Sequence, residues 1–185
     1  MKPDRGSLPL LRRLHGRVFG CPEVGCVLEA AFEELESVLE ERSDPPHAAC
    51  VIPVELFVGD SMPPMEDPVR LCRLFLLRRG ARMAAPERHR NSVQRLVSWG
   101  GSGWIHQGTP GGRPFGLRPR QIGGPVANGS PDGGCPGDAD IARCWDIVPA
   151  GVWHYPEAGD GRDWATVTFH SAAEDKIVDE VWTGS

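Results

Sequence analysis

Pro149-Ala150-Gly151-Val152-Trp153-His154 (residues 149–154) is the most informative stretch of this chain. Proline and glycine favour a tight turn, which here follows an apolar strand, Cys144–Val148. The chain is expected to re-enter a strand at His154, so the turn delivers an imidazole to the start of that strand. Packing can hold a side chain rigidly there. A metal site requires a preorganised neutral nitrogen ligand of this kind.

A second polar stretch lies upstream, Glu87-Arg88-His89-Arg90-Asn91-Ser92-Val93-Gln94 (residues 87–94). Glu87, His89 and Asn91 alternate, so in a strand they share one face. A bend or bulge at Asn91-Ser92 would bring Gln94 to the same face. Glu87, His89, Gln94 and His154 would then form a mixed oxygen and nitrogen set suited to Fe(II), Mn(II), Ni(II) or Zn(II).

These two stretches resemble the two motifs of the cupin superfamily, a family with a β-barrel core. Pro149, Gly151 and His154 match the Pro-x-Gly-x-x-His core of the second motif. In the first motif, Glu87 and His89 occupy the two histidine positions. Gln94 stands at the glutamate position of the first motif and Gly101 at its closing glycine, whereas Gly80 lies one residue too far away to be its leading glycine. In the second motif, Arg143 replaces the leading glycine and Ala158 replaces the final asparagine.

The resemblance implies a mainly β fold, a cupin-like double-stranded β-helix barrel, and a divalent metal ion of unknown identity. Glu87 and Gln94 both offer oxygen donors, so the altered set remains able to bind a metal. The same substitutions also fit a barrel that has lost its metal and only binds a small molecule. Both interpretations stay open on the sequence.

One amphipathic helix precedes the barrel pattern. Apolar residues recur at helical spacing between Val24 and Leu39, acidic residues occupy the other side, and Ser43-Asp44-Pro45-Pro46 ends the run. We therefore divide the chain into an N-terminal helical segment packing on the barrel, 1–46, and a cupin-like barrel domain, 47–185. Short strands are expected at Ala49–Phe57 (interrupted at Pro53), Leu71–Leu77, Val93–Trp99, Cys144–Val148, Ala165–Phe169 and Ile177–Trp182.

Two segments are expected to be loops. Gly59–Pro68 contains three prolines, and Gly108–Gly137 contains ten glycines and six prolines. The second is expected to hold one short strand near Arg120–Ile122. A long irregular connection in a compact domain often lies beside a functional site.

Composition limits the function classes. The chain has 185 residues, of which 40% are hydrophobic and 24% are charged, and its net charge is −5. No apolar run is long enough for a membrane span, and an acidic domain without a recognition motif argues against nucleic acid as a partner. The cysteines form no CxxC pair and no export signal is evident, so reduced thiols and a cytoplasmic location are expected.

Several other side chains are candidate functional groups. His170 ends the strand Ala165–Phe169 and is a candidate general acid or base near the barrel mouth. His106 is a weaker candidate, and His15 and His47 fall outside the barrel pattern. Eight arginines lie between Arg70 and Arg95. They are expected on an exposed strand face paired with the acidic helix, and an anionic-substrate site is the alternative.

Two functional hypotheses follow. The first is a metal-dependent cupin enzyme acting on a small organic substrate, with a carboxylated one among the candidates. Lewis-acid chemistry would make it a lyase, isomerase or cyclase, whereas Fe(II) would suit dioxygenase chemistry. The second is a non-catalytic, small-molecule-binding cupin that serves as a sensor or accessory protein. By analogy with the family, a homodimer is expected.

Overall fold

The computed structural model describes residues 7–42, 44–58, 68–122 and 137–184. The loop expected at Gly59–Pro68 therefore falls almost wholly outside the described residues, as does the second half of the segment 108–137. None of the helices in the described ranges is long and apolar enough to cross a membrane.

Two helices begin the chain, α1 (Leu8–Gly20) and α2 (Pro22–Glu41). The predicted amphipathic helix is α2, which begins at Pro22 because proline lacks only an N–H that the first turn does not need. The sequence reasoning missed α1. Its buried residues, Leu10, Leu11, Leu14, His15 and Val18, follow the same helical spacing. The signal was present but was obscured by the arginines between them.

Within the described residues, ten strands form two antiparallel sheets. They are β1 (His47–Ile52), β2 (Leu71–Leu77), β3 (Glu87–His89), β4 (Gln94–Gly100), β5 (Gly103–Gln107), β6 (Arg118–Ile122), β7 (Trp145–Val148), β8 (His154–Ala158), β9 (Trp164–His170) and β10 (Asp179–Val181). One sheet has the order β1-β2-β9-β4-β7 and the other β10-β3-β8-β5-β6. A short helix, α3 (Asp138–Cys144), leads into β7.

Strand β2 shows how one sheet serves two purposes. Its bounds are those predicted, and its side chains alternate between the two faces. Cys72, Leu74 and Leu76 are wholly buried in a core shared with Leu14 and Leu28 of the helices. Arg73 and Phe75 point to the opposite face and line a cavity inside the barrel. The helices therefore cover the outside of this sheet while its inside remains available for a site.

A second, smaller core closes one end of the barrel interior. It consists of Leu77, Leu96, Ile105, Ile122, Val148, Val152, Ala158 and Trp164. Trp164 is fully buried, and its indole N–H donates to Ser98 Oγ at 2.7 Å. The boundary that we propose at residue 46 falls between α2 and β1 and stays a proposal.

Several sequence expectations need correction. The interrupted strand Ala49–Phe57 is β1, which ends at Ile52 before Pro53 and is followed by a single 3-10 turn. Strand β5 and helix α3 were not predicted. Four of the arginines pair with acids outside α2: Arg73 with Glu174, Arg78 with Asp163, and Arg88 and Arg90 with Glu180.

Candidate metal centre

The turn before β8 positions His154. Val152 N–H donates to the Pro149 carbonyl at 3.2 Å, and Gly151 has φ +73°, which only glycine adopts without strain. His154 then donates from Nδ1 to the Val152 carbonyl at 3.1 Å. This hydrogen bond fixes the tautomer and leaves the Nε2 lone pair facing the barrel interior, where His154 is 1% exposed.

His89 is oriented in the same way, but by a carboxylate. Its Nδ1 donates to Asp179 Oδ1 at 2.6 Å, and Asp179 lies directly opposite it on β10. A carboxylate behind an imidazole fixes ring orientation and makes the other nitrogen a better ligand. The sequence reasoning did not find Asp179, because its partner lies 90 residues earlier in the chain.

Glu87 completes a compact group with the two histidines. It pairs with His154 across β3 and β8, and Glu87 Oε1 lies 3.9 Å from His154 Nε2. One ligand atom from each of Glu87, His89 and His154 lies within 4.8 Å of the other two. Three residues from two strands therefore converge on one small volume.

Gln94 also lines the same cavity, at the start of β4. A turn at Arg90-Asn91 separates β3 from β4 and returns Gln94 to the inner face. The expectation that Asn91 shares that face is wrong. Asn91 is exposed and hydrogen-bonds to the Lys176 carbonyl and the Val178 N–H, because β3 ends before it.

His170 lies beside this group on β9. It is directly opposite Gln94 across β4 and β9, and its ring centroid is 4.9 Å from that of His89. His170 is 2% exposed. The other weighed histidine, His106, faces the outside of the barrel, where it stacks on Tyr155 at 4.3 Å and bonds to Glu157.

The cavity that these residues share has a volume of about 200 Å³. Its apolar wall includes Phe75, Leu96, Ile105 and Trp164. Its polar lining includes Thr166 and Thr168 as well as two residues that the sequence reasoning missed, Arg73 and His47. Both lie on strands whose partners are distant in sequence, so no local spacing marks them as cavity residues.

Burial lowers the pKa of two of the cavity histidines, His154 and His170. It lowers the pKa of His154 to about 3, with a further contribution from neighbouring His89. Burial likewise lowers the pKa of His170 to about 2, assisted by His89 and Arg73. It raises the pKa of the Glu87 carboxyl, which His89 opposes. His154 and His170 are therefore neutral at pH 7, and neutral imidazole is the form that ligates metals.

The donor atoms meet the requirements of a divalent metal. Within the described residues, five buried atoms of cavity-lining residues have no hydrogen-bond partner: His47 Nδ1, His89 Nε2, His154 Nε2, His170 Nδ1 and Gln94 Oε1. A buried polar atom without a partner costs about 1–3 kcal/mol, so several at one place indicate a missing ligand. Imidazole nitrogens with carboxylate and amide oxygens suit first-row divalent ions.

No family model matches this chain, and no curated protein matches it. Solved structures do. A variant of salicylate 1,2-dioxygenase from Pseudoaminobacter salicylatoxidans is 16% identical, covers 84% of this chain and gives a TM-score of 0.52. The same variant in complex with gentisate is 16% identical, covers 85% and also gives 0.52.

These matches establish the fold. It is a mainly β, cupin-like barrel entered through an N-terminal helix, as the sequence predicted. At this identity the likeness concerns architecture alone. The chain spans 38% of the length of the first dioxygenase chain and 36% of the second.

Proposed function

We propose that this chain is a metal-dependent cupin enzyme that acts on a small organic carboxylate with dioxygenase chemistry. The observation that carries the proposal is the convergence of ligand atoms of Glu87, His89 and His154 inside a cavity, where the two imidazole Nε2 atoms are buried without a hydrogen-bond partner. The shared architecture with a salicylate 1,2-dioxygenase crystallised with gentisate supports it.

Glu87, His89, Gln94 and His154 are the proposed ligands. A divalent ion bound by them would supply a Lewis acid, and as Fe(II) it would also supply dioxygen activation. Asp179 and the Val152 carbonyl would hold the two imidazoles with their Nε2 atoms towards the ion. Iron is the expected metal, because a mixed set with open positions is typical of non-haem Fe(II) oxygenases.

Arg73 is the proposed substrate-binding cation. It lines the cavity with its side chain 26% exposed, so a substrate carboxylate can reach it from solvent. Its ion pair with Glu174 is long, at 3.4 Å, and Glu174 is 57% exposed. A bidentate carboxylate would bind more strongly than this contact. The apolar wall around Phe75 and Trp164 would exclude water from the rest of the ligand.

His170 remains the proposed acid–base group. Its neutral ring, with a buried Nδ1 and no described partner, can accept a hydrogen bond from a substrate hydroxyl. A pKa of about 2 makes His170 a weak base, so it would accept a hydrogen bond from the substrate hydroxyl rather than remove the proton unaided.

The test begins with metal content by mass spectrometry on untagged protein, compared with a His89→Ala/His154→Ala double variant. The expected result is near-stoichiometric metal in the wild type and its loss in the variant. Protein reloaded anaerobically with Fe(II) is then mixed with salicylate, gentisate and related carboxylates while dioxygen consumption is recorded. Absence of metal uptake would contradict the proposal.

A non-catalytic binding protein is the second candidate. It is favoured by Glu87 and Gln94, which stand where the cupin pattern has histidine and glutamate. Calorimetric binding of a carboxylate by the metal-loaded protein, with neither dioxygen consumption nor conversion of the carboxylate, would favour this candidate over the enzyme.

A further inference from the structure

Strand β3 carries two of the proposed ligands but has few backbone ties to β8, which carries the third. The register between β3 and β8 consists of the single pair Glu87 and His154. Beyond that pair, β3 itself is tied to this side only by the Gly151 N–H, which donates to the His89 carbonyl at 2.8 Å. The chain before β3 also meets β8, through a bridge between Arg82 and Glu157 and a bond from Met83 N–H to the Pro156 carbonyl at 3.1 Å. By contrast, β8 pairs with β5 at five positions, from Gly103 opposite Ala158 to Gln107 opposite His154.

A side-chain contact on the outside of the barrel joins β3 to the turn that precedes β8. The Arg88 guanidinium lies 4.5 Å from the centroid of the Trp153 ring, within the range of a cation–π interaction. Trp153 is 4% exposed, so this contact is shielded from water. Cation–π contacts are stronger when they are desolvated.

The C-terminal strand holds this contact in place. Glu180 on β10 accepts hydrogen bonds from Arg88 Nε at 2.9 Å and from a terminal nitrogen at 2.7 Å. Trp182 packs edge-on against Trp153, with ring centroids 6.3 Å apart. Arg88 is therefore fixed from one side by a carboxylate and from the other by an indole.

Arg88 and Trp153 are each the neighbour, along the chain, of a histidine inside the barrel. Arg88 immediately precedes His89, and Trp153 immediately precedes His154. Neighbouring residues of an extended chain point to opposite faces. The contact between Arg88 and Trp153 outside the barrel therefore fixes the separation of the His89 and His154 imidazoles inside it. Metal–ligand distances must be right to about 0.2 Å. Within β3, the other ties towards β8 are the pair of Glu87 with His154 and the bond from Gly151 N–H to the His89 carbonyl.

We propose that Arg88 and Trp153 are positioning residues of the metal centre, whose stacking outside the barrel sets the spacing of His89 and His154 within it. The inference rests on the proposed metal-binding function. Neither residue touches the ion or the substrate. Their effect reaches the site through the backbone of β3 and of the turn before β8.

The experiment compares Arg88→Ala and Trp153→Leu with the conservative variants Arg88→Lys and Trp153→Phe. His106→Ala is the matched control, because His106 stacks on Tyr155 on the same outer face but joins β5 to β8, which are fully paired. Co(II) affinity is measured by competition with a chelator, and the Co(II) absorption spectrum reports ligand geometry. Circular dichroism of the metal-free proteins establishes that each variant folds.

The expected result is Co(II) binding at least tenfold weaker, with an altered spectrum, in Arg88→Ala and Trp153→Leu. The conservative variants should recover most of the affinity, and His106→Ala should match the wild type. Equal affinities and spectra in Arg88→Ala, His106→Ala and wild type would overturn the proposal. The proposal would also be overturned if the Co(II) spectrum of Arg88→Ala matched that of the wild type and Arg88→Lys failed to restore affinity.

A metal-free measurement separates this proposal from the proposed function. Long-range ¹H–¹⁵N spectra of the histidine rings report the Nδ1–H tautomers of His89 and His154 without any ion. These signals should shift or broaden in Arg88→Ala and stay in place in His106→Ala. If they do so although wild-type protein binds no metal, the metal proposal fails and the positioning role stands. Unchanged signals in Arg88→Ala would overturn the positioning role alone.

Discussion

Glu87 and His154 are direct partners across β3 and β8, and the carboxylate Oε1 lies 3.9 Å from the imidazole Nε2. This separation is too long for a hydrogen bond, although the His154 atom is buried and has no other described partner. It is a separation that a shared ion can bridge, because each donor needs to be only about 2.0–2.2 Å from a zinc-sized ion.

Replacement of Glu87 by glutamine should therefore weaken metal binding while preserving shape. The amide retains an oxygen donor but removes the negative charge, so affinity should fall by about tenfold to a hundredfold or more. Competition with a chromophoric chelator for Zn(II) or Co(II) measures the change. Glu157→Gln is the control, because Glu157 pairs with His106 outside the barrel. Equal losses in the two variants would contradict a ligand role for Glu87.

Asp179→Asn should also reduce metal affinity, although Asp179 touches no ion in the proposed site. Its carboxylate accepts the His89 Nδ1–H bond at 2.6 Å, and loss of such a partner costs about tenfold to a hundredfold in affinity. Asp175→Asn is the matched control, because Asp175 is 72% exposed and pairs only with Lys176 among the described residues. Titration calorimetry with Zn(II) should show a loss in the first variant and none in the second.

Stability of the metal-free protein should fall as the solution is acidified. The pKa values of His154 and His170 are about 3 and about 2 in the folded protein, against 6.5 ordinarily. Below pH 6.5 the unfolded chain binds these protons and the folded chain does not. The contribution of each histidine is complete above pH 6.5 and is lost as pH falls towards its folded value.

Within that window, each histidine lowers the free energy of unfolding by up to about 1.4 kcal/mol for each unit by which the pH falls. Urea unfolding between pH 7 and pH 4 measures it. His170→Gln should show a shallower decline than the wild type, since one titrating group is gone. His106→Gln, on the outside of the barrel, should follow the wild-type slope. A decline in His170→Gln as steep as in the wild type would contradict the assignment.

Gly103→Ala should destabilise the barrel. A Cβ at this position would lie 2.3 Å from Cε3 of Trp164 and 2.5 Å from the Glu157 carbonyl oxygen. The ring that closes the cavity or the β5–β8 ladder must then shift, at a cost of about 1–3 kcal/mol in the free energy of unfolding. Gly25→Ala within α2 meets nothing within 4 Å and should instead stabilise by up to about 1 kcal/mol. Thermal denaturation distinguishes the two directions.

Arg73→Gln should raise KM for a carboxylated substrate and leave metal affinity unchanged. Loss of a charged hydrogen bond costs about 1.5–3 kcal/mol, which corresponds to roughly tenfold to a hundredfold in KM. Arg78→Gln is the control, because Arg78 lies just past the same strand and pairs with Asp163. An unchanged KM in Arg73→Gln would remove Arg73 from substrate recognition.

Local sequence was sufficient for much of the scaffold. The helical period of Val24–Leu39 predicted α2, and the apolar run Leu71–Leu77 predicted β2 with its observed bounds. The turn Pro149–Val152 followed by His154 was also readable, because a turn and the strand after it depend on neighbouring residues. The cupin-like fold class followed from the resemblance of the segments 87–101 and 149–154 to the two cupin motifs.

Only the tertiary structure revealed what surrounds those residues. Asp179 behind His89, Arg73 and His47 in the cavity wall, and Trp153 beneath Arg88 are contacts between strands far apart in the chain. An antiparallel sheet brings such residues together through register, which a single sequence does not state. The sequence by itself thus determined most of the strands and the turn that places His154 at the start of β8. Pairing across strands decided which group orients His89, because that contact forms only when the barrel closes.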